Sequence, residues 1–244
     1  MATIGHLAAS VDHLVVMASD LAQGVAWCEA TLGVTPGPGG EHPLMGTHNR
    51  LLKIATAEHR TAYLEIIAIN TGATPSIPTG ARRWFDMDDL ALQSRVALQG
   101  PLLTHFVASV PDITVAVASL AAQGIDRGAV LQASRPTPAG LLQWQISVRS
   151  DGQRLFDGCL PTLIQWGSSH PTDAMPDSGV ALHSLRVQHP QADALNAAYK
   201  AIGLTEKLSA GLHDAAVTGG VAEGPARLSA HLQTPNGLIE IHTP

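Results

Sequence analysis

Three histidines and three oxygen-bearing side chains recur at matching places along this chain. His13 sits in Val11-Asp12-His13-Leu14-Val15-Val16-Met17, a β-branched run with one imidazole in its middle. His105 lies in Leu103-Thr104-His105-Phe106-Val107-Ala108, and His183 in Ala181-Leu182-His183-Ser184-Leu185-Arg186-Val187. At similar distances downstream, a second apolar run carries a carboxylate or an amide: Glu65 in Tyr63–Ile67, Gln165 in Leu163–Trp166 and Glu240 in Leu238–Ile241. If two such units pair about a pseudo-twofold axis, His13, Glu65, His105 and Gln165 converge. Two imidazoles and a carboxylate with open positions suit Zn, Ni, Co, Mn or Fe(II). A neutral amide is a weak fourth ligand, so water is expected there.

Each residue also has a plainer reading. A lone imidazole in a buried strand is more often bonded to a backbone carbonyl than to a metal. Glu65 on an edge strand would face water or pair with an arginine. Against that, Leu64, Ile66 and Ile67 surround it, and a carboxylate there loses its hydration unless something replaces it. The third unit repeats the pattern with His183 and Glu240, but Ser184, Arg186 and Gln188 alternate with apolar residues, as on a strand wet on one face.

The elements that must position these residues repeat too. Asp20 is the expected N-cap of a helix over 21–32, with Gly33 as its stop. Residues 49–55 and 61–70 read as an antiparallel pair, with a short strand expected near Val34. Asp112, a helix over 115–122 and Gly124 open the second unit, followed by strands over 128–133, 141–149 and 162–166. A helix over 191–202, stopped by Gly203, and a hairpin turning at Asn236-Gly237 form the third. Residues 208–225 show no clear pattern. Three β-α-β-β-β units follow: 1–101, with a Pro/Gly-rich insertion over 71–100 that should border a cleft; 102–179, ending in a linker; and 180–244. Single alternation of strand and helix, as in a doubly wound sheet, is excluded.

Composition bounds the function. Hydrophobic residues make up 45% and charged residues 14%, enough apolar content for a large core. The formal net charge is −6 with no basic cluster, which argues against nucleic acid. No apolar run is long enough to span a bilayer, the N-terminus lacks a signal-peptide pattern, and two cysteines make no disulfide framework, so a cytoplasmic location is expected.

Val-Asp-His-Leu-Val-Val, a helix ending Thr-Leu-Gly-Val, and Tyr-Leu-Glu-Ile-Ile-Ala together resemble a module of the vicinal oxygen chelate superfamily, which includes glyoxalase I, extradiol dioxygenases and fosfomycin-resistance proteins. Gly46-Thr47-His48-Asn49-Arg50-Leu51-Leu52, Arg83-Trp84-Phe85 and the run from Asp157-Gly158 to Gln165-Trp166 are similar to its glyoxalase-like domain family. The resemblance implies an α+β fold whose βαβββ modules form a curved mixed sheet with a central cleft. It also implies metal ligands on the first and last strands of paired modules, carried here by His13, Glu65, His105 and Gln165, the last standing where many relatives have an acid.

The function expected is a metal-dependent isomerase, lyase or dioxygenase. Its divalent metal would chelate neighbouring oxygens of a small substrate. Glu65 or His48 would move the proton, and Trp84, Arg83 and Trp144 would wall the substrate cleft. The rivals are a metal-free protein that sequesters a small molecule in the same cleft, and a scaffold. An uncovered third sheet would favour a homodimer.

Overall fold

The structure is a computed structural model and describes residues 8–137, 140–204 and 220–243. The first unit comprises β1 (Ser10–Met17), α1 (Leu21–Leu32), β2 (Glu41–His42), β3 (Thr47–Lys53) and β4 (Tyr63–Ile69). α2 (Leu90–Gln99) follows. The second unit comprises β5 (Leu102–Ser109), α3 (Ile113–Ala121), β6 (Ala129–Thr137), β7 (Gly140–Val148) and β8 (Thr162–Trp166). Then come β9 (Ala181–Gln188), α4 (Ala192–Ile202), β10 (Arg227–Thr234) and β11 (Gly237–His242).

The first two units share one eight-stranded sheet in the order β2-β3-β4-β1-β5-β8-β7-β6, while β9, β10 and β11 form a separate three-stranded sheet. The large sheet is mixed: β1 runs parallel to β4 and β5 to β8, and β1 meets β5 antiparallel at the seam. This is an α+β fold built on a strongly curled half-barrel sheet.

β1 is apolar on both faces because both faces are covered. Leu14 and Val16 join Leu64, Ile66 and α1 residues Cys28 and Leu32 in the core beneath the helices. Val15 and Met17 join Ile67, Val107 and Ile164 in a second cluster on the cleft face. α1 starts where the Asp20 side chain accepts the Gln23 N–H (2.8 Å) and stops at Gly33, whose φ of 75° is left-handed. It lies so close to β4 that a Cβ on Gly24 would stand 2.4 Å from an Ile66 methyl.

The segment 71–100 returns over the cleft face. There Phe85, Met87, Leu92 and Val96 cover the second cluster. Phe85 is held in the left-handed region, φ 60°, a conformation costly for a bulky residue and kept here by burial of its ring.

The third unit packs inside its own chain. Leu182, Leu185, Leu195, Ile202 and Leu232 belong to the core beneath the helices of the first two units. Tyr199 on α4 donates to the Cys159 carbonyl and meets Phe106 of β5 edge-on, ring centroids 6.5 Å apart. One face of the third sheet is therefore covered within its own chain, while β9 and β11 remain its edges. Residues 205–219, most of the stretch without a clear pattern, lie outside the described residues.

Two local expectations are corrected. The short strand of the first unit is Glu41–His42, not a segment near Val34. The β10–β11 hairpin turns on Pro235-Asn236, and of the pair Asn236-Gly237 only Gly237 has positive φ, 102°. Proline fixes φ near −65°, so it imposes a turn of ordinary hand where Asn-Gly alone would take the mirror-image one. No helix among the described residues is long and apolar enough to cross a membrane.

Candidate functional site

The site begins with a register irregularity. Between Val11 and His13 the pairing of β1 with β5 slips, leaving Asp12 as an extra residue. A bulge of this kind re-aims side chains. Here it lets Asp12 and His13, adjacent in sequence, meet: Asp12 Oδ1 accepts from His13 Nδ1 at 2.6 Å. Asp12 Oδ2 accepts from the Trp166 indole N–H (2.8 Å) and from His170 Nε2 (3.1 Å). Burial alone would raise the Asp12 carboxyl. The hydrogen bonds from His13 and His170, with the charges of those imidazoles, outweigh it and hold Asp12 below its ordinary value.

With Nδ1 tied to Asp12, His13 turns Nε2 toward Glu65, 3.6 Å from Oε2. Glu65 is 5% exposed on β4, an interior strand between β1 and β3. Its other oxygen, Oε1, accepts from Asn49 Nδ2 at 2.6 Å. Asn49 is placed by the β3–β4 hairpin, and Tyr63, two residues before Glu65 and so on the same face, stacks on His13 with centroids 4.5 Å apart. His42 Nε2 lies 4.0 Å from Glu65 Oε1. Burial pushes His42 down to about 4; Glu65 opposes that shift and Arg135 adds to it.

These groups form the floor of a narrow cleft that is partly open to solvent. Trp84, Trp144 and Trp166 wall it, the last two paired across β7 and β8. Arg135 reaches in from β6, and its Nη1 is buried with no hydrogen-bond partner among the described residues. The floor thus joins a carboxylate, an imidazole backed by a second carboxylate, and a cation with an unused N–H.

A family model described as "Glyoxalase-like domain" matches residues 11–203. The chain belongs to the glyoxalase-like domain family of the vicinal oxygen chelate superfamily. No curated protein matches it in sequence. Among solved structures, a hypothetical protein from Staphylococcus aureus superposes with a TM-score of 0.55 at 15% identity, over 96% of this chain and 85% of that one. A variant methylmalonyl-CoA epimerase of Streptomyces coelicolor, in complex with 2-nitronate-propionyl-CoA, gives 0.39 at 16% identity, over 66% and 96%. The Mycobacterium tuberculosis methylmalonyl-CoA epimerase gives 0.38 at 15%, over 72% and 97%. At these identities the likeness is one of fold.

Within this glyoxalase-like domain, only part of the expected ligand set meets. His13 and Glu65 do. His105 does not join them, because both its ring nitrogens are engaged. Nδ1 donates to the Gly158 carbonyl (2.9 Å), and Nε2 accepts from the Thr162 N–H (3.1 Å) with Thr162 Oγ1 also at 3.1 Å. Burial, then the Arg127 charge, pushes His105 well below its ordinary value, so it stays neutral. Gln165 faces the helices: its Oε1 accepts the Ile113 N–H at the start of α3 (2.8 Å). No group of three His, Cys, Asp or Glu able to hold a metal exists among the described residues. The residues present do not fit the paired-module metal site.

Other expected residues divide as follows. Trp84 and Trp144 line the cleft. Arg83 is tied to Asp88 Oδ1 (2.6 Å) and the Met45 carbonyl (2.9 Å) instead. His48 alternates with the cleft-facing Asn49 on β3 and points to the opposite face. Glu240 pairs with Arg227 at 3.1 Å near the surface. Burial pushes both Cys28 and Cys159 up to about 12, so neither serves as a thiolate at neutral pH.

Sequence reasoning overlooked Asp12, Asn49, Tyr63, Arg135 and His170. Tyr63 was recoverable, since side chains two apart on a strand share a face. Asn49 and Arg135 require the hairpin registers. His170 lies in an irregular segment and carries no local signal.

Proposed function

We propose that the cleft performs proton transfer on a small oxygen-bearing metabolite, as an isomerase or lyase of the glyoxalase-like type. The observation that carries this reading is Glu65, a buried carboxylate with one oxygen fixed by Asn49 and the other turned toward His13 in an open cleft. A substrate C–H beside a carbonyl would give its proton to Glu65 Oε2. The electron pair of that bond would move to the carbonyl oxygen, where the charge of the Arg135 guanidinium in the cleft lining would stabilise the enolate. His13, oriented by Asp12, would relay the proton and return it to a different face or atom. The tryptophan walls would keep water from the enolate.

The test is deuterium incorporation. Small 2-oxo and 2-hydroxy carbonyl compounds are incubated with purified, tag-free protein in D2O and followed by NMR. Enzyme-dependent exchange at the carbon beside the carbonyl is expected, falling about 10²–10⁴-fold in Glu65→Gln, the range for loss of a general base. Exchange unchanged in that variant overturns the proposal. Stoichiometric metal lost on substituting His13 or Glu65 overturns its metal-free form.

The aromatic walls Trp84, Trp144 and Trp166 favour one rival, sequestration without chemistry. Ligands that bind tightly yet exchange no deuterium would select it.

A further inference from the structure

Beyond the Trp84–Phe85 pair lies a second, narrow pocket with Arg127 in its lining. Arg127 precedes β6 and is 2% exposed. Its Nη2 donates to Thr162 Oγ1 at 2.8 Å. Its Nε and Nη1 are buried and have no hydrogen-bond partner among the described residues.

No carboxylate among the described residues bonds to this charge, and only the neighbouring Asp126 acts on it from a distance. Among the described residues Arg127 makes no ion pair. The neighbouring Asp126 turns outward to the Gly128 N–H (2.7 Å) and toward Arg149 (3.6 Å). Burial and Arg149 push Arg127 down to about 10, with Asp126 opposing, so the guanidinium stays charged at neutral pH. A buried, unpaired cation is a costly feature for a fold to keep.

The rest of the pocket offers donors. Trp84 lines both this pocket and the cleft, and its indole N–H is buried without a partner among the described residues. Ser147 accepts the Leu163 N–H at 3.2 Å, leaving its own hydroxyl hydrogen to donate. No Asp or Glu lines the pocket. The backbone at its base is fixed: Gly128 has φ 75°, and a Cβ there would stand 2.3 Å from the Val148 carbonyl. The guanidinium is thus anchored in a lining that holds Ser147, Arg149 and Gln153 beside it and no carboxylate among the described residues.

We propose that this pocket is an oxyanion subsite that takes a small carboxylate on the free N–H groups of Arg127. It is separated from Glu65 by the Trp84–Phe85 wall, and it stands whether or not the cleft performs proton transfer. The carboxylate is either a free small acid or one arm of a longer molecule that also enters the cleft.

Formate is the probe. Thermal unfolding at pH 7 is followed in sodium formate and in sodium chloride at equal ionic strength. A saturable rise in Tm is expected with formate only, as ligand binding to the native state demands. In Arg127→Met the formate-dependent rise disappears, while Tm in chloride is unchanged or higher because the unpaired charge is gone. A purely structural Arg127 would instead lower Tm in chloride and leave the formate response intact. Should Arg127→Met fail to fold, the Arg127 Nε–H resonance of the wild-type protein is titrated with formate and must shift saturably. Absence of that shift, or an equal formate response in the variant, overturns the proposal. Succinate separates the two sources: a closed site for free small acids responds to formate alone, and a site for one arm of a longer molecule responds to both.

Discussion

His13 stands opposite Val107, and His105 opposite Val15, so a local twofold between β1 and β5 exchanges the two imidazoles. The parallel partners extend the relation. Val15 pairs with Glu65 on β4, and Val107 pairs with Thr162 on β8. In the first half an imidazole therefore faces a carboxylate across an open cleft, with its second nitrogen bonded to Asp12. In the second half the equivalent imidazole faces a hydroxyl and is enclosed by backbone groups, under the Phe85 ring at 5.3 Å. One strand position thus opens onto the cleft in one half and is enclosed by backbone groups in the other. The fourth strand decides which, through Glu65 or Thr162.

The largest expected effects test that division directly. His13→Ala should lower deuterium exchange about 10²–10³-fold, as loss of a proton-transfer group does, and should also cost stability by leaving the buried Asp12 Oδ1 without its hydrogen bond. His105→Ala should act on stability alone. It leaves the Gly158 carbonyl and the Thr162 N–H buried without a partner, and should cost roughly 2–4 kcal/mol in urea unfolding. Exchange per folded molecule should be nearly unchanged. If the two variants lose stability and activity equally, the division between the halves fails.

Much of the frame was legible in the sequence. The repeated strand–helix–strand pattern, the caps Asp20 and Asp112 and the stops Gly33 and Gly203 are local signals, and they position the elements as observed. Glu65 was legible because a carboxylate inside an apolar run needs a special environment. The pairing of His105 with Gln165 was misread for a definable reason. Counting along the chain finds an oxygen ligand at a similar spacing, but the side-chain period of a strand is two, and an odd offset changes the face. Thr162, three residues earlier, is the true counterpart of Glu65. Asp12 was hidden for a related reason: only the bulge brings it to the same side as its neighbour His13.

The pH dependence of stability sharpens the comparison at a smaller scale. His42 in the first half is held at about 4, below the ordinary 6.5, because burial disfavours its charged form. The unfolded chain then binds the proton more tightly, and acid favours unfolding. His42's contribution is complete above pH 6.5 and is lost as the pH falls toward 4. At pH 5 the loss amounts to about 2 kcal/mol from this residue. His105 in the second half shifts in the same direction. Asp12 plays no part in this window, since its carboxyl lies below 3.8 and its contribution disappears only in stronger acid. Urea unfolding at pH 7 and pH 5 should show the loss, and His42→Gln should remove the part due to the first half alone. An unchanged slope in that variant would assign the acid sensitivity to the second half.

The smallest effect separates the two accounts of Gln165. As a metal ligand, its replacement by glutamate would strengthen the site and raise metal content. As the cap of α3, its oxygen serves the Ile113 N–H, and either carboxylate or amide can accept that bond. The added negative charge would also meet the positive end of the helix dipole, worth about 0.3–1 kcal/mol near a helix start. Gln165→Glu should therefore shift stability by no more than about 1 kcal/mol, upward above the carboxyl's titration range, and leave exchange and metal content unaltered. Gln165→Ala, which removes the cap, should cost about 0.5–2 kcal/mol, again without touching exchange. Paired measurements of urea midpoint and metal content on the two variants decide it. A gain of bound metal in Gln165→Glu would show β8 turning this residue into the cleft. That would contradict the alternation by which Ile164 and Trp166 line the cleft and Leu163 lies beneath the helices.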